Sequence, residues 1–360
     1  YLYKADETYT MTYFFNTNLD ALKAMDTSYG NKNSVVLSNT NFRKGMSLAI
    51  DRAEYVTATQ GYKVQFGLIS GLYFYDVFNN PDSIYRNADP AKKAICDFYG
   101  IKFGAGEAYA TLDDAYNSVT GYNLTEAKNC MVEAFKELSA DGIYNGGDIH
   151  IRVGYAKGAV DSAINQQCAL LNKYVNAALE GSGFGKVEFE AVGQIPNRYS
   201  AVPNGEFAIG WGGWGGAAFD PFTKFEVFMD PDKYAGQVCE IACYDPTKET
   251  VTLSWLDKSD TMTWQAWSGS MAAGGKYSNV SADEKLEILA ALEKAFLEQY
   301  YDIPVCSTTS ASMLSQQVQY YTKNYNIMYG FGGLELLTFN YTDTEWAKYV
   351  ADQGGTLDYE

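Results

Sequence analysis

Histidine occurs once in these 360 residues, at His150. Any Ser-His-Asp or Cys-His engine would have to run through that single ring. His150 alternates with Ile149 and Ile151 in a stretch that reads as a strand, which suits a surface or edge position better. A Gly-x-Ser-x-Gly elbow, a phosphate loop and a dinucleotide fingerprint are all missing. Basic residues never form a run: Arg43-Lys44 and Lys92-Lys93 are isolated pairs, and 27 Lys and Arg stand against 44 Asp and Glu, a net charge of −17. Such a chain repels nucleic acid and anionic lipid, so neither is expected as a partner. There is no run of about 18 apolar residues to span a bilayer. The chain opens on Tyr1 with no Met, basic segment or apolar leader, as an excised piece or mature fragment would.

Cysteine is sparse and irregularly spaced, at Cys96, Cys130, Cys168, Cys239, Cys243 and Cys306. Cys239 and Cys243 lie four apart with no second pair and no His nearby, so they make no zinc pattern. Free thiols are the favoured expectation, with one bridge left open. Asp230-Pro231-Asp232 lacks the later ligands and central glycine of a calcium loop. No metal and no cofactor are expected.

Hydrophobic residues make up 47% and charged residues 20%, enough for a packed core. The 30 tyrosines suit a wet cleft or interface, or equally surface and edge strands. Residues 10–16 read as a strand. Phe42, Met46, Ala49, Ile50 and Ala53 recur at helical spacing after an Asn41 cap. Leu124, Ala127, Met131, Phe135 and Leu138 define a second helix, stopped near Gly142. Ile149, Ile151, Val153 and Tyr155 alternate as a strand, a helix spans 160–180, and Val187 and Phe189 begin another strand. That is a βαβ unit and predicts an α/β fold with a partly parallel sheet. A hairpin is expected over 249–267. Ser281 with Glu284 starts a helix ended by Pro304, and Thr342 with Glu345 starts the last one.

The most informative stretch is Gly205–Pro221, which passes from an apolar run through Gly210-Trp211-Gly212-Gly213-Trp214-Gly215-Gly216 to Asp220-Pro221. Glycine inside a strand pattern means that another backbone or a ligand comes close. Tryptophan beside it offers a flat cover for a guest. A cleft wall follows, with Trp214 lining it and Trp211 either lining it or packed in the core.

Four collinear segments resemble the oligopeptide/dipeptide-binding proteins of ABC transporters, solute-binding family 5. "FRKGMSLAIDRAEYV" (42–56) is similar to that family's helix of the type VRQALSYAIDREKIV. "YNLTEAKNCMVEAF" (122–135) resembles its Y-x-P-E-K-A-K-x-L-L helix. "GGWGGAAFDPFTKF" (212–225) resembles its cleft segment G-G-W-G-x-D-x-x-D-P-x-x-F, and "EKAFLEQYYDIPV" (293–305) its late E-x-x-L-x-E-x-x-x-x-I-P stretch. The resemblance implies the C-terminal part of a two-lobed periplasmic-binding-protein-like (type II) fold. Residues 1–17 would belong to lobe I and the hinge, 18–325 to lobe II with an insertion-like region at 236–280, and 326–360 to lobe I again with a C-terminal helix. It further implies a non-catalytic, monomeric, exported protein, periplasmic or anchored as a lipoprotein. That protein would capture a peptide or peptide-like solute and deliver it to a membrane permease. The implied ligand-binding residues are Trp211, Gly213, Trp214, Gly215, Ala217, Asp220, Tyr329 and Phe331. Ala217 departs from the pattern: the family places there an Asp that pairs with the peptide ammonium. Lobe I, Glu206 or Asp220 would have to replace it, or the ligand carries no free ammonium. Two other classes compete. One is carbohydrate-directed, a secreted hydrolase, which needs a carboxylate pair at glycosidase separation, or an oligosaccharide-binding protein. A surface interaction module needs a filled cleft around Trp214 and Tyr329.

Overall fold

A computed structural model describes residues 2–59, 63–217, 219–233, 243–313, 316–320, 325–326, 330–331 and 337–357. The chain forms two compact units, Thr8–Thr308 and Tyr1–Glu7 with Thr309–Glu360. Through the first unit and across both its boundaries, chain order runs β1 (Leu2–Phe15), α1 (Leu19–Ser28), α2 (Thr40–Ala49), α3 (Arg52–Ala58), β2 (Lys63–Val64), α4 (Asp89–Phe98), α5 (Leu112–Asn117) and α6 (Leu124–Ala140). It continues through β3 (Ile149–Gly154), α7 (Ser162–Leu179), β4 (Val187–Val192), α8 (Arg198–Ala201), β5 (Ile209–Trp214) and α9 (Thr223–Met229). It closes with β6 (Thr250–Trp255), β7 (Lys258–Thr263), α10 (Trp264–Met271), α11 (Ala282–Gln299) and β8 (Asp302–Met313).

Six strands make one mixed sheet in the order β2-β8-β1-β5-β3-β4. β3 is parallel to β4 and β5, with α7 as the connection between β3 and β4, as the βαβ reading expects. β1 runs antiparallel to β5, pairing Thr10 with Trp214 and Phe15 with Ile209. Period-two alternation sorts side chains between the faces. Tyr13 and Phe15 enter the larger core with Ile149, Ile151 and Val153, beneath Phe42 and Met46 of α2, Met131 of α6 and Leu171 of α7. Phe14 enters a smaller cluster with Ile195, Val202 and Phe207. Each such side chain contributes roughly 1.5–3 kcal/mol through burial.

Several local readings change. The helix expected from Asn41 through Ala53 is two helices. Asn39, not Asn41, caps α2 by accepting from the Phe42 N–H, and Asp51 caps α3 by accepting from the Glu54 N–H. The break rotates the register, so Ala53 is exposed while Arg52 and Tyr55 are buried. The hairpin is Thr250–Thr263, and its expected end is the first turn of α10, capped by Thr263. Ser281 caps α11 through the Glu284 N–H, but the Glu284 carboxylate turns to Trp255 and Lys258 and leaves the box half made. α11 ends at Tyr300 in the left-handed region (φ 51°), and Pro304 lies inside β8. His150 lies on β3, one strand in from the edge, and its partly exposed ring agrees with the surface reading, with Nδ1 3.0 Å from the Gly30 carbonyl oxygen.

Four of the buried charged side chains, Glu293, Arg86, Arg43 and Arg52, serve as fixtures. Glu293 of α11 is fully buried and receives Arg86 (2.6 Å), the Tyr85 hydroxyl (2.8 Å) and the N–H groups of Leu68 and Ile69. Burial is the largest single effect and lowers the Arg86 pKa, but the Glu293 carboxylate together with Tyr116 and Tyr85 outweighs it and the net shift is upward. A Cβ on Gly67 would meet both the Arg86 and Glu293 side chains at 2.6 Å, so glycine is required there. This cluster clamps the base of the 68–86 segment onto α11. Arg43 donates to the carbonyls of Leu37, Gln299 and Tyr300. Arg52, fully buried, donates to the carbonyls of Pro304, Ser47, Ile50 and Gly121 and to the Ser47 hydroxyl.

Among the described residues, Cys96, Cys130, Cys168, Cys243 and Cys306 are free thiols; Cys239 lies outside them. Burial pushes the Cys168 thiol up from 9.0 to about 11, and that of Cys306 to about 12. Both groups ionise more readily in the unfolded chain. Their contribution is therefore complete below pH 9 and is lost as pH rises toward 11 and 12. Unfolding midpoints in urea should fall steadily from pH 9 to pH 11, and Cys168→Ala should flatten that slope. An unchanged slope in the variant would refute the assignment.

In the second unit, β9 (Val318–Tyr320) pairs antiparallel with β12 (Leu337–Phe339), and β10 (Tyr325–Asn326) with β11 (Gly330–Phe331). α12 (Asp343–Asp352) carries the expected box in full, Thr342 and Glu345 each bonding the other's backbone N–H. Tyr341, Trp346 and Tyr349 stack beside one another at 5.2–5.7 Å. No helix among the described residues is long and apolar enough to cross a membrane.

Candidate functional site at the carboxyl edge of the sheet

Open α/β sheets present ligand sites outside the carboxyl ends of their parallel strands. Here β3, β4 and β5 end at Gly154, Val192 and Trp214. The loops leaving β3 and β4 are stitched together. Tyr155 N–H donates to Val192, Ile195 N–H to Ala156 at 3.1 Å, and Gln194 N–H to Gly158 at 2.6 Å. Gly193 permits this, since a Cβ there would lie 2.4 Å from the Gly158 carbonyl oxygen. Gln194 next to it is exposed and adopts φ 60°, an uncommon backbone for a residue with a side chain.

The third loop follows β5. Its glycines are explained by neighbours inside the protein. A Cβ on Gly210 would enter the Phe14 ring at 2.3 Å, one on Gly212 would meet the Tyr199 hydroxyl at 2.6 Å, and one on Gly213 the Thr10 carbonyl at 2.7 Å. Tyr199 lies against Phe14 with ring centroids 5.6 Å apart, and its hydroxyl both donates to the Gly213 carbonyl and accepts from the Gly213 N–H. Close approach was therefore the right reading of these glycines, and rings and backbone are what approach. Arg198 donates to the Trp211 carbonyl and lies over the Tyr199 ring. Buried Lys224 donates to the Trp214 carbonyl at 2.5 Å. Gly216 N–H donates to the hydroxyl of buried Tyr73 at 2.6 Å, and Ala217 N–H to Thr223 Oγ1 at 2.7 Å. The segment is thus held at five backbone positions between Trp211 and Ala217.

The expected site residues separate. Trp214, Gly213, Gly215, Gly216 and Ala217 are half-buried at the strand end. Trp211, three residues earlier, is 5% exposed and packs on Tyr13 at 4.6 Å and Tyr55 at 5.7 Å. The structure puts it in the core, because alternation along β5 turns its ring to the helix-covered face. Asp220 is exposed and accepts from the Phe222 N–H at 3.3 Å, tying the turn ahead of α9. Partial desolvation nonetheless raises its carboxyl above the ordinary 3.8, while the Phe222 N–H pulls the other way. Phe331 lies on β11 in the other unit, and Tyr329 lies outside the described residues. Tyr73, Gln194, Arg198 and Tyr199 escaped the motif reading. The βαβ pattern combined with the carboxyl-edge rule is the signal that could have found the last three, and the sequence reading did not apply it.

No curated protein matches the chain. Among solved structures it is similar to OppA of Listeria monocytogenes bound to peptide, at 14% identity and a TM-score of 0.55, covering 95% of this chain and 50% of that one. It is similar to the substrate-binding domain of an oligopeptide ABC transporter from Bacillus anthracis (15%, TM-score 0.53, 88% and 47%). It is also similar to Haemophilus influenzae OppA in complex with RPPGFSPFR (13%, TM-score 0.51, 94% and 50%). The chain thus spans about half the length of each, and the shared fold is the type II periplasmic-binding-protein architecture. The family model for bacterial extracellular solute-binding proteins, family 5 (middle region), matches residues 1–236. That span holds β1, the βαβ unit, the glycine-tryptophan strand and all three carboxyl-edge loops, and the chain belongs to this family.

Proposed function

We propose that the protein is the ligand-capturing component of an ABC importer for oligopeptides or peptide-like solutes, working outside the cytoplasm without catalysis. The family match over residues 1–236 carries this reading. The carboxyl edge supports it, because backbone fixed at Gly213, Trp214, Gly216 and Ala217 gives a rigid wall beside a half-buried tryptophan. Two lobes close on the solute by a hinge motion. Ligand contact falls to Trp214, Gly213, Gly215 and Ala217, with Asp220 in the turn that follows. A membrane permease receives the solute.

The test is a thermal-shift screen of the protein at its full natural length against peptide, amino-acid and oligosaccharide pools. A peptide pool should raise Tm. For a confirmed peptide, Trp214→Ala should weaken affinity by about tenfold, the loss of one aromatic contact. A response to saccharide alone would overturn the substrate class, and unchanged affinity in the variant would overturn the placement of Trp214.

A further inference from the structure

Two of the large apolar side chains exposed on the Thr8–Thr308 unit touch each other. Phe78 is 81% exposed, Phe219 is 41% exposed, and their ring centroids lie 6.5 Å apart at 62°. They come from different segments, and each segment is tied by backbone hydrogen bonds. Phe78 sits at the tip of a loop closed by an antiparallel bridge between Phe74 and Ile84 and by the bonds Tyr75 N–H to Ser83 and Tyr85 N–H to Tyr73. Phe219 sits in the turn after β5. The Tyr73 hydroxyl, buried, takes the Gly216 N–H at 2.6 Å and joins loop to turn. The ring pair is therefore continuous with the carboxyl-edge wall.

We infer that Phe78 and Phe219 form a lip that receives one apolar, preferentially aromatic, side chain of the captured ligand; this rests on the peptide-capture reading. The patch has the right size for that occupant. The two rings together offer about 250 Å², whereas a stable protein interface needs roughly 800 Å² from each partner. Asp76, Asp82 and Asp220 flank the rings in sequence, which disfavours an anionic membrane or an acidic ligand group. A T-shaped pair leaves ring faces open to a third ring at the same kind of angle. The lip also gives binding energy that does not depend on the carboxylate missing at Ala217.

The experiment uses the full-length protein with an alanine pentapeptide, five counterparts carrying one phenylalanine at each position in turn, and five carrying one aspartate. Isothermal titration should show one phenylalanine position binding about tenfold tighter than the all-alanine peptide. Phe78→Ser with Phe219→Ser should erase most of that preference while all-alanine affinity stays within about twofold. Phe78 is largely exposed and Phe219 partly so; the ligand-free Tm should therefore hold, and Phe78→Ser alone gives the same readout if the double variant does not. A preference that survives in the double variant overturns the lip and leaves peptide capture standing. Loss of self-association in the variant, seen by sedimentation, would assign the patch to a second copy and overturn the lip. If no pentapeptide binds the unaltered protein, the capture reading falls and the lip falls with it.

Discussion

Glu293→Leu is expected to lower the thermal unfolding midpoint by on the order of 10 °C, from a loss of about 3–5 kcal/mol. The substitution strands Arg86, whose guanidinium lies 2.6 Å from the Glu293 carboxylate in a site where Glu293 itself has no exposed surface. It also strips acceptors from the Tyr85 hydroxyl and from the N–H groups of Leu68 and Ile69. An unpaired charge and three unpaired donors are each costly in a buried site. The pair as a whole is not worth that much, because bringing both ions out of water offsets most of their attraction. Arg86→Met combined with Glu293→Leu should therefore recover most of the lost stability. A single variant within about 1 kcal/mol of the parent in urea denaturation would show that the carboxylate is not what neutralises Arg86. The same clamp holds the 68–86 segment, so the single variant should also weaken any ligand that depends on Phe78, while the double variant should not.

Much of the fold was legible because it rests on local periodicity. The β3–α7–β4 unit could be read from Ile149, Ile151 and Val153 alternating, from Leu171 and Val175 at helical spacing, and from Gly181, whose φ of 80° ends the helix. The failures have tertiary causes. Ile50-Asp51 interrupts a run that looks like one helix, and only the Asp51 cap on Glu54 and the burial of Arg52 make two helices the better solution. Trp264 and Trp267 could continue a strand by composition, but they are buried on α10, where Trp267 stacks on Tyr277 at 5.7 Å. The candidate site was half legible. The glycine-tryptophan segment announces a crowded strand end, yet nothing in it reveals that Tyr199, Phe14 and Tyr73 crowd it from distant parts of the chain. The tryptophan nearer the strand centre went to the core because strand alternation, not motif position, decides which face a ring meets.

The arginines of "FRKGMSLAIDR" extend the same point to what a motif is for. Arg52 lies in one of the four segments that carry the family resemblance, and its partners are all structural: carbonyls of Pro304, Ser47, Ile50 and Gly121, and the Ser47 hydroxyl. These acceptors are neutral and belong to β8, the α2–α3 junction and the turn before α6, so one side chain knots three segments that are far apart in sequence. A Cβ on Gly121 would lie 2.6 Å from the guanidinium, and Gly121 itself has φ 65°, so that turn is shaped around the arginine. Arg52→Met would keep the stem's apolar volume and remove every donor, leaving several buried carbonyls without partners. At about 1–3 kcal/mol for each buried acceptor that finds no water, the expected loss is about 3–5 kcal/mol. Arg52→Lys should recover little, because one ammonium cannot reach acceptors arrayed around a planar fork. Urea denaturation of both variants, read beside peptide affinity for whatever fraction remains folded, separates the two roles open to this residue. Stability should collapse while the folded fraction binds as the parent does. Intact stability with lost affinity would instead make Arg52 a ligand-binding residue and reverse the reading of the motif.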